Sequence, residues 1–160
     1  MLTLQTPTAA PAIRLATASE DPALTRPGSV VSVAGFGARN PAPTRKPKIG
    51  SLMATTVAMK GFCPLPVSLM CDSGGKSGLV AISKIKHKVR RRTVQRTVCS
   101  GDSGGPMVAA TASGPTLIGV AEATAAPPKR SPFGFVYCGL KGYPGIHTRV
   151  ASWLGFIQSG

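Results

Sequence analysis

The sequence predicts an all-β protein, a six-stranded Greek-key barrel with a short C-terminal helix. Three observations predict it. Glycine and proline are abundant, 19 and 15 of 160 residues, which interrupts helices and favours turns. Short runs rich in Val, Thr and Ile recur between those turns, as strands with one buried face do. Near the C-terminus the period changes: Val150, Leu154 and Ile157 repeat at i, i+4 and i+7, the apolar stripe of a short helix. Six strands and one terminal helix suit a single barrel of this topology.

The elements follow in order. Residues 1–5 read as a strand, and residues 6–27, rich in Pro, Ala and Thr, as a connector. Residues 28–34 set Val30, Val31 and Val33 among small residues and read as a strand. The prolines of residues 37–50 exclude a central strand there. Residues 52–59 are strand-like. Residues 106–111 and 116–123 read as two strands joined by the turn Ala112-Ser113-Gly114-Pro115, whose Gly and Pro suit the reversal. Residues 124–135 form a loop. Residues 135–138 and 145–149 make a final hairpin, and Ser152 starts the helix.

Composition bounds the function classes. Hydrophobic residues make up 42% and charged residues 15%, so the chain can bury a core. A single domain of this size buries about 70% of its unfolded surface. No run of 18 apolar residues exists, so no membrane-spanning helix is expected. Residues 1–15 lack the basic and apolar regions of a secretory leader. The formal net charge is +14. Half of it lies in residues 72–96, where eight cations, including Lys76 and Arg96, face only Asp72. From Lys84 the pattern alternates: Lys84, Lys86, Lys88 and Arg90 against Ile85, His87, Val89 and Arg91. Period two predicts an extended hairpin with one basic face. Three readings of Lys84, Lys86, Lys88, Arg90, Arg91 and Arg92 follow: a polyanion patch, a cleavage site on an exposed loop, or a solvated insertion. No aromatic interleaves the charges, which argues against base stacking.

The chemistry concentrates at residues 99–106, Cys-Ser-Gly-Asp-Ser-Gly-Gly-Pro. Glycines on both sides leave the Ser103 hydroxyl open to close approach. The N–H groups of Gly101 and Ser103 can point at one spot beside it and form an oxyanion hole. This string resembles the nucleophile loop of the chymotrypsin-like (trypsin-fold) serine proteases, peptidase family S1. Residues 138–157 resemble that family's last strand and C-terminal helix, residues 117–124 its substrate-pairing strand, and residues 28–37 the first strand of its second barrel. Residues 1–4 are similar to the strand following its catalytic Asp. The insertion at 72–96 departs from the family.

The resemblance implies roles. Residues 28–160 become the second barrel of a double barrel, and residues 1–27 the end of the first barrel and the connector. Ser103 becomes the nucleophile of a serine endopeptidase acting on polypeptides, and Asp102 the partner of an activated N-terminus. Thr97 becomes the base of the specificity pocket, Thr124 its wall and Gly145 its far side. With no carboxylate at Thr97, the expected pocket is neutral and narrow and favours small or medium apolar side chains. Glu122 stands where the family usually has Ser, near the catalytic Asp, and a carboxylate beside a carboxylate would raise one pKa. Four cysteines allow three pairings; the resemblance favours Cys63–Cys71 and Cys99–Cys138 and implies secretion. Cys63-x7-Cys71 is not a zinc-knuckle spacing, and neither metal nor cofactor is expected.

The catalytic His and Asp find no counterpart. None of Glu20, Asp21, Asp72, Asp102 and Glu122 sits in a catalytic-Asp motif. His147 lies in Pro-Gly-Ile-His-Thr-Arg-Val, where an ordinary strand histidine is expected, and His87 among lysines and arginines, which would lower its pKa. Met1 is therefore expected to be an internal methionine of a longer reading frame whose upstream part supplies the first barrel, His and Asp. The alternative is a non-catalytic protease-fold binding module using the basic face.

Overall fold

The computed structural model describes residues 5–38, 49–75, 77–85, 88–125, 138–139 and 142–159, with the side chains of 77–94 excepted. Nine strands are present: β1 (Arg14–Leu15), β2 (Val30–Gly35), β3 (Met53–Ala58), β4 (Leu69–Cys71), β5 (Ser77–Ile85), β6 (Lys88–Gln95), β7 (Pro106–Thr111), β8 (Gly114–Thr124) and β9 (Gly145–Arg149). A short helix α1 (Asp21–Leu24) lies in the connector, and a 3-10 turn (Val150–Trp153) leads into α2 (Leu154–Gln158).

Alternation in the sequence decides which faces are buried. Val31, Val33 and Gly35 of β2 point inward while Val30 and Ser32 face out. Met107 and Ala109 of β7 and Ile118 and Ala121 of β8 meet them from the facing strands. Met59, Met70 and Val98 complete the cluster. Full burial of one such aliphatic side chain stabilises by about 1.5–3 kcal/mol.

The main sheet runs β3-β2-β7-β8-β9-β4, with β1 added to β8 in parallel. Its other ladders are antiparallel. The end strands β3 and β4 meet at an isolated bridge, Met59 opposite Asp72. Lys60 N–H donates to the Cys71 carbonyl at 2.9 Å and Ser73 N–H to the Ala58 carbonyl at 2.7 Å. One bridge does not make a continuous ladder, so the all-β fold is as expected but the barrel is not closed. The β7–β8 turn lies at Ala112–Ser113, and Gly114 opens β8 with φ +99°.

The connector is more ordered than its composition suggests. Arg14 reaches Thr116 Oγ1 at 2.7 Å and both Glu20 oxygens at 2.8 and 2.9 Å. Thr17 donates to Glu20 through its N–H at 3.0 Å and its hydroxyl at 2.9 Å. The Arg14 guanidinium and the Thr17 donors hold the Glu20 carboxyl down at about 2. Asp21, buried, pairs with Arg149. The Asp21–Arg149 ion pair and the Arg14–Thr116 hydrogen bond thus fasten residues 14–21 to β9 and β8, and the Arg14–Glu20 pair braces the segment internally.

Four expectations need correction or placing. β4 was hidden in the proline-containing segment 63–71, whose last three residues pair with β9. The terminal stripe is graded: Val150 is buried, Leu154 is half-buried and Ile157 is 36% exposed. The basic segment is a hairpin, but the pairing of Ile85 with Lys88 breaks the single alternating face. Lys88 lies opposite Ile85 and Arg90 opposite Ser83, while Lys84 lies opposite Val89. Residues opposite one another share a face, so Lys84 falls on the other face from Lys88 and Arg90. Residues 1–4 of the strand expected at 1–5 and residues 135–137 of the final hairpin lie outside the described residues, and Gln5 lies in a bend.

Both disulfides form, Cys63–Cys71 and Cys99–Cys138. Their loops span 8 and 39 residues, and loop-closure entropy makes the longer one worth about 4 kcal/mol and the shorter about 2.5 kcal/mol. Cys99→Ser with Cys138→Ser should therefore lower the denaturant midpoint more than Cys63→Ser with Cys71→Ser. The reverse order would contradict the entropic account.

Candidate active site

The nucleophile loop is built around one carboxylate. Asp102 turns back beneath the loop, where Oδ1 accepts from Gly37 N–H and Oδ2 from Cys99 N–H, each at 2.7 Å. Charged acceptors on backbone amides are among the stronger hydrogen bonds. The approach requires glycine: a Cβ on Gly35 would run into the Asp102 carboxylate, and one on Gly37 would lie 2.7 Å from the Asp102 nitrogen. Gly101 at φ +92° and Gly104 at φ +83° provide the turns on either side, angles that other residues adopt only under strain.

The loop is tied to β8 as well. Gly104 N–H donates to the Ala121 carbonyl and Ala121 N–H to the Gly105 carbonyl, both at 2.8 Å. Ser103 is left exposed, and its hydroxyl donates to the Glu122 carbonyl at 3.2 Å. Among the described residues neither Gly101 N–H nor Ser103 N–H donates a hydrogen bond. Beside them opens a cleft of about 220 Å³ lined by residues 98–100, Ser103 and residues 121–124. Glu122 accepts from Thr148 Oγ1 at 3.1 Å.

Gly145 lies against both Thr97 and Thr124, of which Thr124 lines this cleft. Thr124 of β8 lies opposite Gly145 of β9. A Cβ on Gly145 would sit 2.6 Å from Thr97 Oγ1 and would also strike Asp72.

Sequence reasoning missed Asp72. Its side chain is fully buried, and four contacts hold it. Gly74 N–H donates to Oδ1 at 2.7 Å, and Thr97 Oγ1 donates across both oxygens at 2.8 and 3.0 Å. His147 Nε2 lies 2.8 Å from Oδ2. An ionised carboxylate only accepts, so with Asp72 ionised Nε2 is the donor of this contact. His147 is a strand residue, as expected, but it is wholly buried and hydrogen-bonded to a carboxylate. Its Nδ1 finds no partner among the described residues. With Nε2 committed to Asp72, this ring is not placed to take a proton from Ser103. The available signal was an isolated acid directly after Cys71, easily discounted beside eight cations. His87 lies outside the described residues.

Removing a carboxylate that accepts from one buried and two part-buried donors leaves all three without it, at a cost of about 3–5 kcal/mol. Asp72→Ala should show that loss in denaturant unfolding, and a loss below about 1 kcal/mol would contradict the network. Gly35→Ala should displace Asp102 and destabilise by about 1–3 kcal/mol; a wild-type unfolding midpoint would contradict the packing.

Known proteins share this pattern. The family model described as Trypsin matches residues 1–157. The CLIP domain-containing serine protease B15 of Anopheles gambiae is 36% identical over 61 residues, 38% of this chain and 14% of that protein. The Spaetzle-processing enzyme of Drosophila melanogaster is 38% identical over 61 residues, again 38% of this chain and 14% of that protein. The CLIP domain-containing serine protease B4 of Anopheles gambiae is 36% identical over 63 residues, 39% of this chain and 15% of that protein. The matched segment thus spans about one seventh of the length of these relatives. Among the described residues no helix is long and apolar enough to cross a membrane. With the family model covering nearly all of its length, the chain belongs to the trypsin family of serine proteases.

Proposed function

We propose that this chain carries the nucleophile half of a secreted serine endopeptidase, with the general base and its carboxylate partner contributed by sequence outside residues 1–160. The carrying observation is the loop itself. Ser103 stands exposed at the rim of a cleft, beside two N–H groups without hydrogen bonds among the described residues. Ser103 Oγ would attack the scissile carbonyl, and Gly101 and Ser103 N–H would stabilise the oxyanion, worth about 3–4 kcal/mol per donor. A serine hydroxyl needs an adjacent base to act at neutral pH. Its hydrogen bond here is to the Glu122 carbonyl, which cannot remove a proton.

Two further features support this reading. Phe36, just after β2, and Leu52 and Met53, at the start of β3, are each at least half exposed at one end of the β2–β3 pair, an apolar patch that a first barrel would cover. Formation of both disulfides suits an oxidising, extracellular setting. Asp102, held by backbone amides, would take the α-amino group of an activated N-terminus as a further partner. Thr97, Thr124 and Gly145 would bound a neutral pocket for small or medium apolar side chains.

The test is labelling with a fluorophosphonate, which reacts with activated serines. Residues 1–160 alone should not label. A version extended upstream to include a His-bearing barrel should label at Ser103, and Ser103→Ala should abolish it. If neither form labels, the reading as a protease gives way to a binding module on a protease fold.

A further inference from the structure

The hairpin β5–β6 forms a two-stranded sheet of its own, outside the main sheet. Its register sorts the charges. Lys88 lies opposite Ile85, Arg90 opposite Ser83 and Arg92 opposite Val80, whereas Lys84 lies opposite Val89 and Arg91 opposite Ala81. Alternate residues of a strand share a face, so Lys88, Arg90 and Arg92 occupy one face and Lys84 and Arg91 the other. At about 7 Å per two residues, the positions of Lys88, Arg90 and Arg92 span roughly 14 Å along β6, and the irregularity between Ala81 and Ser83 falls on the partner strand, which leaves the alternation of β6 unbroken.

No acid adjoins this row in the sequence. From Ser73 to Gly101 the sequence contains no Asp or Glu. Like charges on one face of a strand repel, and an isolated two-stranded hairpin is only marginally stable in water. A multivalent anion lying along the row would remove that repulsion and release its own counterions. Two of the three cations are arginines, whose planar fork grips a sulfate or phosphate through two hydrogen bonds.

We infer that the β6 face of Lys88, Arg90 and Arg92 is a docking strip for a linear sulfated polysaccharide. The ligand chemistry is a regular row of sulfates on an extended chain, matching a regular row of cations. Nucleic acid is the less favoured polyanion, because residues 76–96 offer no aromatic on which a base could stack. The strip is independent of Ser103, so a failure of the protease reading would leave it standing.

The test uses the full chain, heparin and salt titration. A triple variant, Lys88→Gln, Arg90→Gln and Arg92→Gln, is compared with a control of equal charge loss, Lys84→Gln, Arg91→Gln and Arg96→Gln. The first should bind heparin at least about tenfold more weakly at physiological salt. Its slope of log affinity against log salt should fall by about two to three, one for each lost contact. The control should keep most of both. Deletion of residues 77–94 checks that the effect belongs to the hairpin, and it should match the first variant. Equal losses in both triples would overturn the strip in favour of a diffuse charge effect. Tighter binding to single-stranded DNA than to heparin would overturn the polysaccharide, and elution of wild type at low salt would overturn both.

Discussion

The carboxylate of Asp72 is the constraint on which the rest of this structure depends. Its backbone forms the bridge to Met59 where the two end strands of the sheet meet. Its side chain fastens Thr97, Gly74 and His147 to that same point. Three chain segments far apart in sequence therefore converge on one buried charge: the end of β4, the approach to the nucleophile loop and the middle of β9. A buried carboxylate is tolerated only when its acceptor sites are filled, and here three donors share its two oxygens, with the Thr97 hydroxyl lying between them. Gly145 follows from the same constraint, since a side chain there would displace the carboxylate.

The second buried demand is met by Asp102. Its two backbone donors, with the glycines that let it approach, hold the loop while its own neighbour Ser103 stays exposed. Adjacent residues thus face opposite ways, Asp102 inward onto backbone amides and Ser103 outward to solvent. Hydrogen bonds between the loop and β8 place the serine over the cleft. The disulfide to Cys138 anchors the loop from its other end. Chemistry is separated from stability: the hydroxyl is available, while the surrounding backbone is tied down at several points.

The sequence was most legible where a local rule acts alone. Alternating Val31 and Val33 placed β2, the turn residues placed the β7–β8 hairpin, and glycine spacing singled out Ser103. It was least legible where partners are distant. Asp72 and His147 are 75 residues apart, and nothing local announces their contact. Arg149 and Asp21 are separated by 128 residues and pair across the fold, so the connector looked irregular although it is pinned. β4 escaped notice because prolines precede it and only three residues pair. Period two in the basic segment did indicate strands, but periodicity cannot say where a chain reverses, and the pairing of Ile85 with Lys88 reassigned the faces.

The direct measurement is the tautomer of His147, read from ¹⁵N-labelled ring nitrogens by NMR on residues 1–160. The account predicts a proton on Nε2, shared with the Asp72 carboxylate and protected from solvent exchange. A neutral ring protonated at Nδ1, with Nε2 bare against Asp72, would place two acceptors face to face and contradict it.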